Sequence, residues 1–211
     1  MPLRQFLAFP VVMAAVYVLA WVVGLALHPD APALDAADAE VAAHFESERA
    51  RAFLSSLLVH GVTAAALVLV MAELARSAAR RGQRNPGLVV LLAAAVGAGL
   101  SLVQMALGVA LATTAAADDP GRASTLFDAI NRLDGVKMLA FAAMALGGVV
   151  LTRRRILPRR AGVIALMLAG TLVLSATGYL LLDPGMATAA FVSLPLLLIW
   201  VGSIGVVVGR R

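Results

Sequence analysis

The residues best able to do chemistry in this chain sit in apolar surroundings at helical spacings. Ser56, His60 and Thr63 follow one another at intervals of four and three, so on a helix they share one face. Gly97, Ser101, Gln104 and Gly108 repeat the pattern. Thr171, Ser175 and Gly178 do so again, with Thr177 and Tyr179 nearby. Each stripe is small or polar against Leu, Val and Ala. Two readings fit. In the first, small residues let helices approach and their polar groups bond across the contact, which is packing. In the second, His60, Gln104 and Ser175 line a polar cavity, with Ser56 and Ser101 beside them. His60 and Gln104 are then its least replaceable members, being bulky and polar.

Lys137 is the only lysine among 17 basic residues. Asp134 precedes it by three, a spacing that lets the two pair on one helix face. Lys137 either snorkels to the membrane surface, held by Asp134, or faces inward to bind an anionic group such as a carboxylate or a lipid phosphate. His28, His44 and His60 all fall towards one side of the chain's layout. A surface metal site using Asp30 or Glu48 as a further ligand is conceivable, but metal ligands on one helix stand three or four residues apart and these histidines stand sixteen apart. Only His60 lies in an apolar run, which argues against a haem held between two histidines. No metal or cofactor is expected.

No GxSxG, HExxH, P-loop or dinucleotide fingerprint is present. There are no cysteines, so disulfides, thiolate catalysis and iron–sulfur centres are excluded. Glu73 is read as the one acidic residue inside an apolar run, with Arg76 or Arg80 as its partner. The lack of a mid-span carboxylate argues against active ion transport.

The elements that position these residues follow from composition. Of 211 residues 62% are hydrophobic and only 14% charged, and the mean hydropathy is +0.94. A soluble fold of this size cannot hide that much apolar surface. A net charge of +5 and a pI near 10.9 would suit nucleic acid, but the basic residues lie in short connections between apolar runs, where they act as topology signals. No nucleic-acid partner is expected.

Crossing a hydrocarbon core of ~30 Å takes about 20 apolar residues. Runs of that kind span 6–27, 52–75, 87–113, 133–151, 162–182 and 187–208, the third being the longest and the fourth the shortest. The expected fold is all-α: a polytopic transmembrane bundle of six spans in a single domain covering 1–211. Connections alternate in charge. Arg4, then Arg76, Arg80, Arg81 and Arg84, then Arg153, Arg154, Arg155, Arg159 and Arg160, then Arg210 and Arg211 put twelve of the 17 basic residues on one side. The other side carries Asp30, Asp35, Asp38, Glu40, Glu46 and Glu48, then Asp118, Asp119, Asp128 and Asp134, then Asp183. Arginine is retained in the cytoplasm, so both termini are expected there, in a bacterial inner membrane. The first run exceeds a signal-peptide core and ends in Trp21, which suits an interfacial anchor; it is read as a retained span.

Two outer connections are long enough to hold short amphipathic helices. One covers 35–48, with Asp35 or Asp38 as its cap. The other covers 121–133, with Leu126, Ile130 and Leu133 on its apolar face. Pro195 is expected to kink the sixth span, and Gly205 and Gly209 mark a close helix contact.

Three segments carry a family likeness: Glu40-Val-Ala-Ala-His-Phe45 followed by Glu48-Arg-Ala-Arg51, Asn131-Arg-Leu-Asp-Gly-Val-Lys137, and Ile156-Leu-Pro-Arg-Arg160. In these the chain resembles a family of small actinobacterial six-helix integral membrane proteins of unknown function, over nearly its whole length. Heavy use of Ala, and of Arg over Lys, suits a GC-rich genome. The resemblance implies the fold and carries no catalytic residues.

The functional expectation is a protein, not expected to be an enzyme, that binds a lipid, a small amphipathic ligand or a membrane partner. The site would be an outward-facing polar cavity of His60, Gln104, Ser101, Ser56, Ser175, Lys137 and Asp134. The alternatives are a small oligomeric transporter or channel, and a membrane-embedded enzyme using His60 or Lys137.

Overall fold

The structure, a computed structural model, describes residues 3–115 and 119–210, with side chains from Phe9 onward. The side chain of Arg4, and Asp118 and Arg211, all used above as charge markers, lie outside the described residues. Among the described residues there are helices and no strands. They are α1 (Leu3–Leu27), α2 (Asp38–Ser47), α3 (Arg49–Ser56), a π-helical turn (Leu57–Val62), α4 (Thr63–Ala79), α5 (Arg84–Thr114), α6 (Pro120–Arg153), α7 (Arg159–Leu181), the single turn α8 (Pro184–Ala187) and α9 (Ala190–Gly209). Six stretches are long and apolar enough to cross a membrane: Phe9–Leu27, Arg49–Ala79, Arg84–Thr114, Pro120–Arg153, Arg159–Leu181 and Pro184–Gly209.

Consecutive spans pack side by side, and α1 closes the ring by lying against both α4 and α9. The core is the inside of that ring. Leu67, Met71, Met144, Leu168, Trp200 and Ile204 are completely or almost completely buried there, while Leu92, Val96, Leu166, Leu181, Phe191 and Ile199 point outward as a lipid-facing surface would. Glycines set the closest approaches. A Cβ on Gly148 would stand 2.5 Å from the Trp200 ring, and one on Gly97 would stand 2.7 Å from Phe141 Cδ1. Gly205 is used in the same way: a Cβ there would meet the Pro10 carbonyl at 2.8 Å, so this glycine of the Gly205–Gly209 pair serves the contact between α9 and α1 within this chain. Helix α9 continues through Pro195.

Two expectations about the loops need correcting. The 121–133 segment is not a separate surface helix. It is the first part of α6, and with it the fourth span becomes the longest helix at 34 residues, where the shortest was expected. Asp119 caps this helix by accepting from the Arg122 amide at 3.3 Å, and Pro120 follows in the first turn, where its missing N–H costs nothing. Nothing between Gly121 and the apolar run breaks the helix. Its buried face is Ala123, Phe127 and Asn131, rather than Leu126, Ile130 and Leu133. The other loop does form a helix, α2, but neither Asp35 nor Asp38 caps it. Ala37 is the capping position, no side chain bonds there, and Asp38 is already in the first turn. Val41, Ala42 and Phe45 of α2 pack with Leu111, Ala112, Ala123 and Phe127 into a second, smaller apolar cluster at the acidic end of the bundle.

A buried charged cluster as candidate functional site

Residues from α1, the π-turn, α5 and α6 converge just beneath that smaller cluster. Lys137 and Asp134 lie one turn apart on α6 and form an ion pair. The lysine side chain is 3% exposed and that of Asp134 21%. Lys137 therefore faces into the bundle and does not snorkel. Gln104 on α5, wholly buried, holds the acid in place: its Nε2 donates to Asp134 Oδ1 at 3.0 Å and to the Ile130 carbonyl at 2.9 Å. The Lys137 ammonium stands 5.9 Å from the centre of the Trp21 ring on α1, so this indole faces the cation inside the bundle and is not a surface anchor. His60 lies within electrostatic range of both Lys137 and Asp134, and Tyr179 on α7 within range of Asp134.

His60 sits in the π-turn, where the chain bonds over five residues; the Thr63 amide donates to the Leu58 carbonyl. Such turns insert one residue into a helix and occur often at functional sites. The Thr63 hydroxyl bonds back to the Val59 carbonyl across the same turn.

Depth follows from helix rise. Fourteen residues of α6 separate Lys137 from Leu151, about 21 Å at 1.5 Å per residue. Fifteen separate His60 from Ala75, about 22 Å. In a hydrocarbon core of ~30 Å with its edge at Leu151 and Ala75, both residues would lie roughly two-thirds of the way across from the arginine-rich end. Asp134 is thus a carboxylate within the bundle, whereas sequence reading assigned it to a connection and found no acid inside a span except Glu73. A signal for this was present: no helix breaker separates Asp134 from the apolar run. Glu73 does pair with Arg76 near the arginine-rich end.

The cluster has unused hydrogen-bonding capacity. Gln104 Oε1 and His60 Nδ1 are buried without a partner, and the Lys137 ammonium has the ion pair as its sole polar contact. Buried polar atoms are nearly always satisfied, so a group of unsatisfied ones is unusual. Together they present donors and acceptors to one small region, able to hold a polar group or pass a proton.

The remaining stripe residues divide. Ser56 packs against Gly108, and its hydroxyl makes a long 3.4 Å contact with the Met105 carbonyl, a packing role. Ser101 is buried on α5. Ser175 is completely buried on α7 with an unpartnered Oγ, so no hydrogen bond joins it to the cluster.

The fold also joins two histidines that the sequence separates by sixteen residues. His28, just beyond α1, and His44 on α2 approach to 2.8 Å between their Nε2 atoms. Phe45 lies against both rings, 5.6 and 5.4 Å between centres, and reaches on to Phe127 of α6 at 6.0 Å. Burial, and then the neighbouring His44, lower the pKa of His28, while Glu48 and Asp30 act the other way. Among the described residues no three metal-ligating side chains come together.

Comparison with known protein families, with curated proteins and with solved structures returns no match for this chain.

Proposed function

We propose that this chain is a multi-pass membrane protein that binds the polar head of a lipid or small amphipathic molecule at the Lys137–Asp134–Gln104–His60 cluster. The observation that carries the reading is the gathering of two unpartnered buried polar atoms, His60 Nδ1 and Gln104 Oε1, beside the buried Lys137–Asp134 ion pair. A ligand with both donor and acceptor atoms, such as a carboxyl or hydroxyl head, would match Lys137, His60 and Gln104 Oε1. The partial exposure of Asp134 favours approach from the acidic end. The charge asymmetry supports placing that end outside the cell and both termini in the cytoplasm, in a bacterial inner membrane. The likeness to actinobacterial six-helix proteins is carried forward as part of this proposal. Membrane lipids are the proposed partners, with a homo-oligomer or a membrane protein as the further ones.

Native mass spectrometry on protein extracted gently from its own membrane tests this. A co-purifying small molecule that is lost from Lys137→Met and from Gln104→Ala, both still folded, supports the reading. Wild-type protein free of any small molecule, or a molecule retained by both variants, overturns it.

A second reading has one observation in its favour. Asp134, Lys137 and His60 are ionisable groups inside the membrane, the kind of chain found in proton pathways. On this reading the protein is a small transporter or channel. Proton flux into liposomes that stops in Asp134→Asn would establish it, and equal flux in the variant would remove it.

A further inference from the structure

The arginine-rich end carries a second site, independent of the buried cluster. Its origin is the turn between α6 and α7. Helix α6 ends with the Ile156 amide donating to the Leu151 carbonyl at 2.9 Å and the Arg155 amide to that of Thr152 at 2.9 Å. This capping pattern needs a left-handed residue, and Arg155 takes it, at φ 58°. Ile156 and Leu157 then turn into the core, 2% and 4% exposed. With these two residues plugged inward, Arg153, Arg154, Arg155, Arg159 and Arg160 are left exposed.

All of these but Arg154 line one space. It has a volume of 740 Å³ and is lined by Arg153, Arg155, Arg159, Arg160 and Arg210, together with Val207. Arg160, Val207 and Arg210 also line a narrower 320 Å³ groove that runs between α7 and α9 along Ile164, Ile199 and Val206. The two spaces share Pro158, Arg160, Val207 and Arg210, so arginines border both, and the rest of the groove is mostly aliphatic. No acidic residue lines either one, and none of the ion pairs among the described residues involves these arginines.

A topology signal needs only positive charge near the membrane. It does not need the charge arranged round a mouth that opens into an apolar groove between two spans. We infer that this site binds an anionic phospholipid from the bilayer leaflet at the arginine-rich end. Its phosphate would sit between Arg160 and Arg210, and one acyl chain would lie in the groove. Arginine suits a phosphate because its planar fork donates two parallel hydrogen bonds. Basic pockets between spans are a recurrent way of holding acidic lipid heads. A soluble phosphate would gain nothing from the apolar groove, and a neutral lipid would gain nothing from the arginines, so the joined site selects a molecule with both parts.

Gly202 allows the two parts to be tested separately. It faces the groove, and no atom lies within 4 Å of where its Cβ would be. Gly202→Trp therefore fills the groove without removing its charge, and Arg160→Gln with Arg210→Gln removes the charge from an exposed surface. The experiment is native mass spectrometry on the full chain with added phosphatidylglycerol, phosphatidylcholine or soluble glycerol phosphate. The wild type is expected to retain phosphatidylglycerol at least ten times better than phosphatidylcholine. Each variant is expected to lower that retention fivefold or more, while both keep the wild-type melting temperature within a few degrees. Equal retention of the two lipids overturns the proposal. So does full retention by Gly202→Trp, or displacement by glycerol phosphate at concentrations comparable to the lipid, either of which would mean a head-group contact without a groove.

Discussion

Lys137 pairs with Asp134 across one turn of a helix long and apolar enough to cross a membrane, and the two residues differ in what else supports them. Asp134 also accepts a hydrogen bond from Gln104 and keeps some exposure, whereas Lys137 has the carboxylate as its sole polar partner. Removing one half of a buried pair strands the other, at about 3–5 kcal/mol. The asymmetry predicts that Asp134→Asn destabilises the protein more than Lys137→Met does, with the former near the top of that range. The double variant should recover much of the loss. Equilibrium unfolding in mild detergent would measure this. If Lys137→Met were the more damaging change, the ammonium would have support that this geometry lacks.

The contact between His28 and His44 makes the seating of α2 sensitive to acid. His28 has its pKa lowered in the folded protein, first by burial and then by His44, with Glu48 and Asp30 opposing. When α2 lifts away, His28 returns towards its ordinary 6.5. The open state then binds more protons than the closed one between the lowered folded value and about 6.5, so the stabilisation of the closed state is fully present above that window and is lost as pH falls through it. Hydrogen exchange of the α2 amides, corrected for intrinsic rates, should be faster at pH 5.5 than at pH 7.5. The contrast should vanish in His28→Gln. Equal protection of wild-type α2 at both pH values would show that the pair does not govern this helix.

Much of the bundle could be read from the chain because membrane spans obey a one-dimensional rule. Apolar length and flanking arginines fix where helices cross, and each of the six runs overlaps one of the six stretches observed. The pairing of Lys137 with Asp134 was legible for the same reason, since a spacing of three on a helix is local. What failed was whatever depended on contacts between distant segments. The inward turn of Trp21 towards Lys137, the hydrogen bond from Gln104 to Asp134 and the meeting of His28 with His44 join residues between sixteen and 116 positions apart. The π-turn at His60 was hidden because composition does not distinguish a bond over five residues from one over four. The length of α6 was missed for another reason: polar residues at 128–132 were taken to end the span, although a helix sheltered by α2 can carry them beyond the membrane.

Gly148 and Gly170 lie on neighbouring helices and make a controlled pair. A side chain at Gly148 would press into the fully buried ring of Trp200, which has no free direction in which to move. Gly170 on α7 has no atom within 4 Å of its Cβ position. Overpacking a tight core costs about 1–3 kcal/mol, whereas replacing an unconstrained helical glycine by alanine gains about 0.4–1 kcal/mol. Gly148→Val should therefore lower the melting temperature and Gly170→Ala should leave it equal or raised. A tolerated Gly148→Val would mean that α6 and α9 are not in close contact.

The proposed orientation rests on charge. Between the spans, the arginine-rich end carries Arg76, Arg80, Arg81 and Arg84 in one connection and Arg153, Arg154, Arg155, Arg159 and Arg160 in another, with Glu73 of α4 already paired to Arg76. The opposite end holds Arg49 and Arg51, each matched by a glutamate three residues away, at 3.8 and 3.0 Å, and Arg122 and Arg132 at the start of α6, against nine arginines in the two connections. Unpaired positive charge is thus concentrated at one end, and that end should stay in the cytoplasm. The chain contains no cysteine, so single cysteines can be placed on either side without background labelling. Ser47→Cys on α2 and Ala79→Cys at the end of α4 are both exposed. In intact cells a membrane-impermeant maleimide should label Ser47→Cys only, and after permeabilisation it should label both. The reverse pattern would place the buried cluster nearer the cytoplasm. The ligand would then come from inside the cell, and the arginine-lined groove would face the outer leaflet.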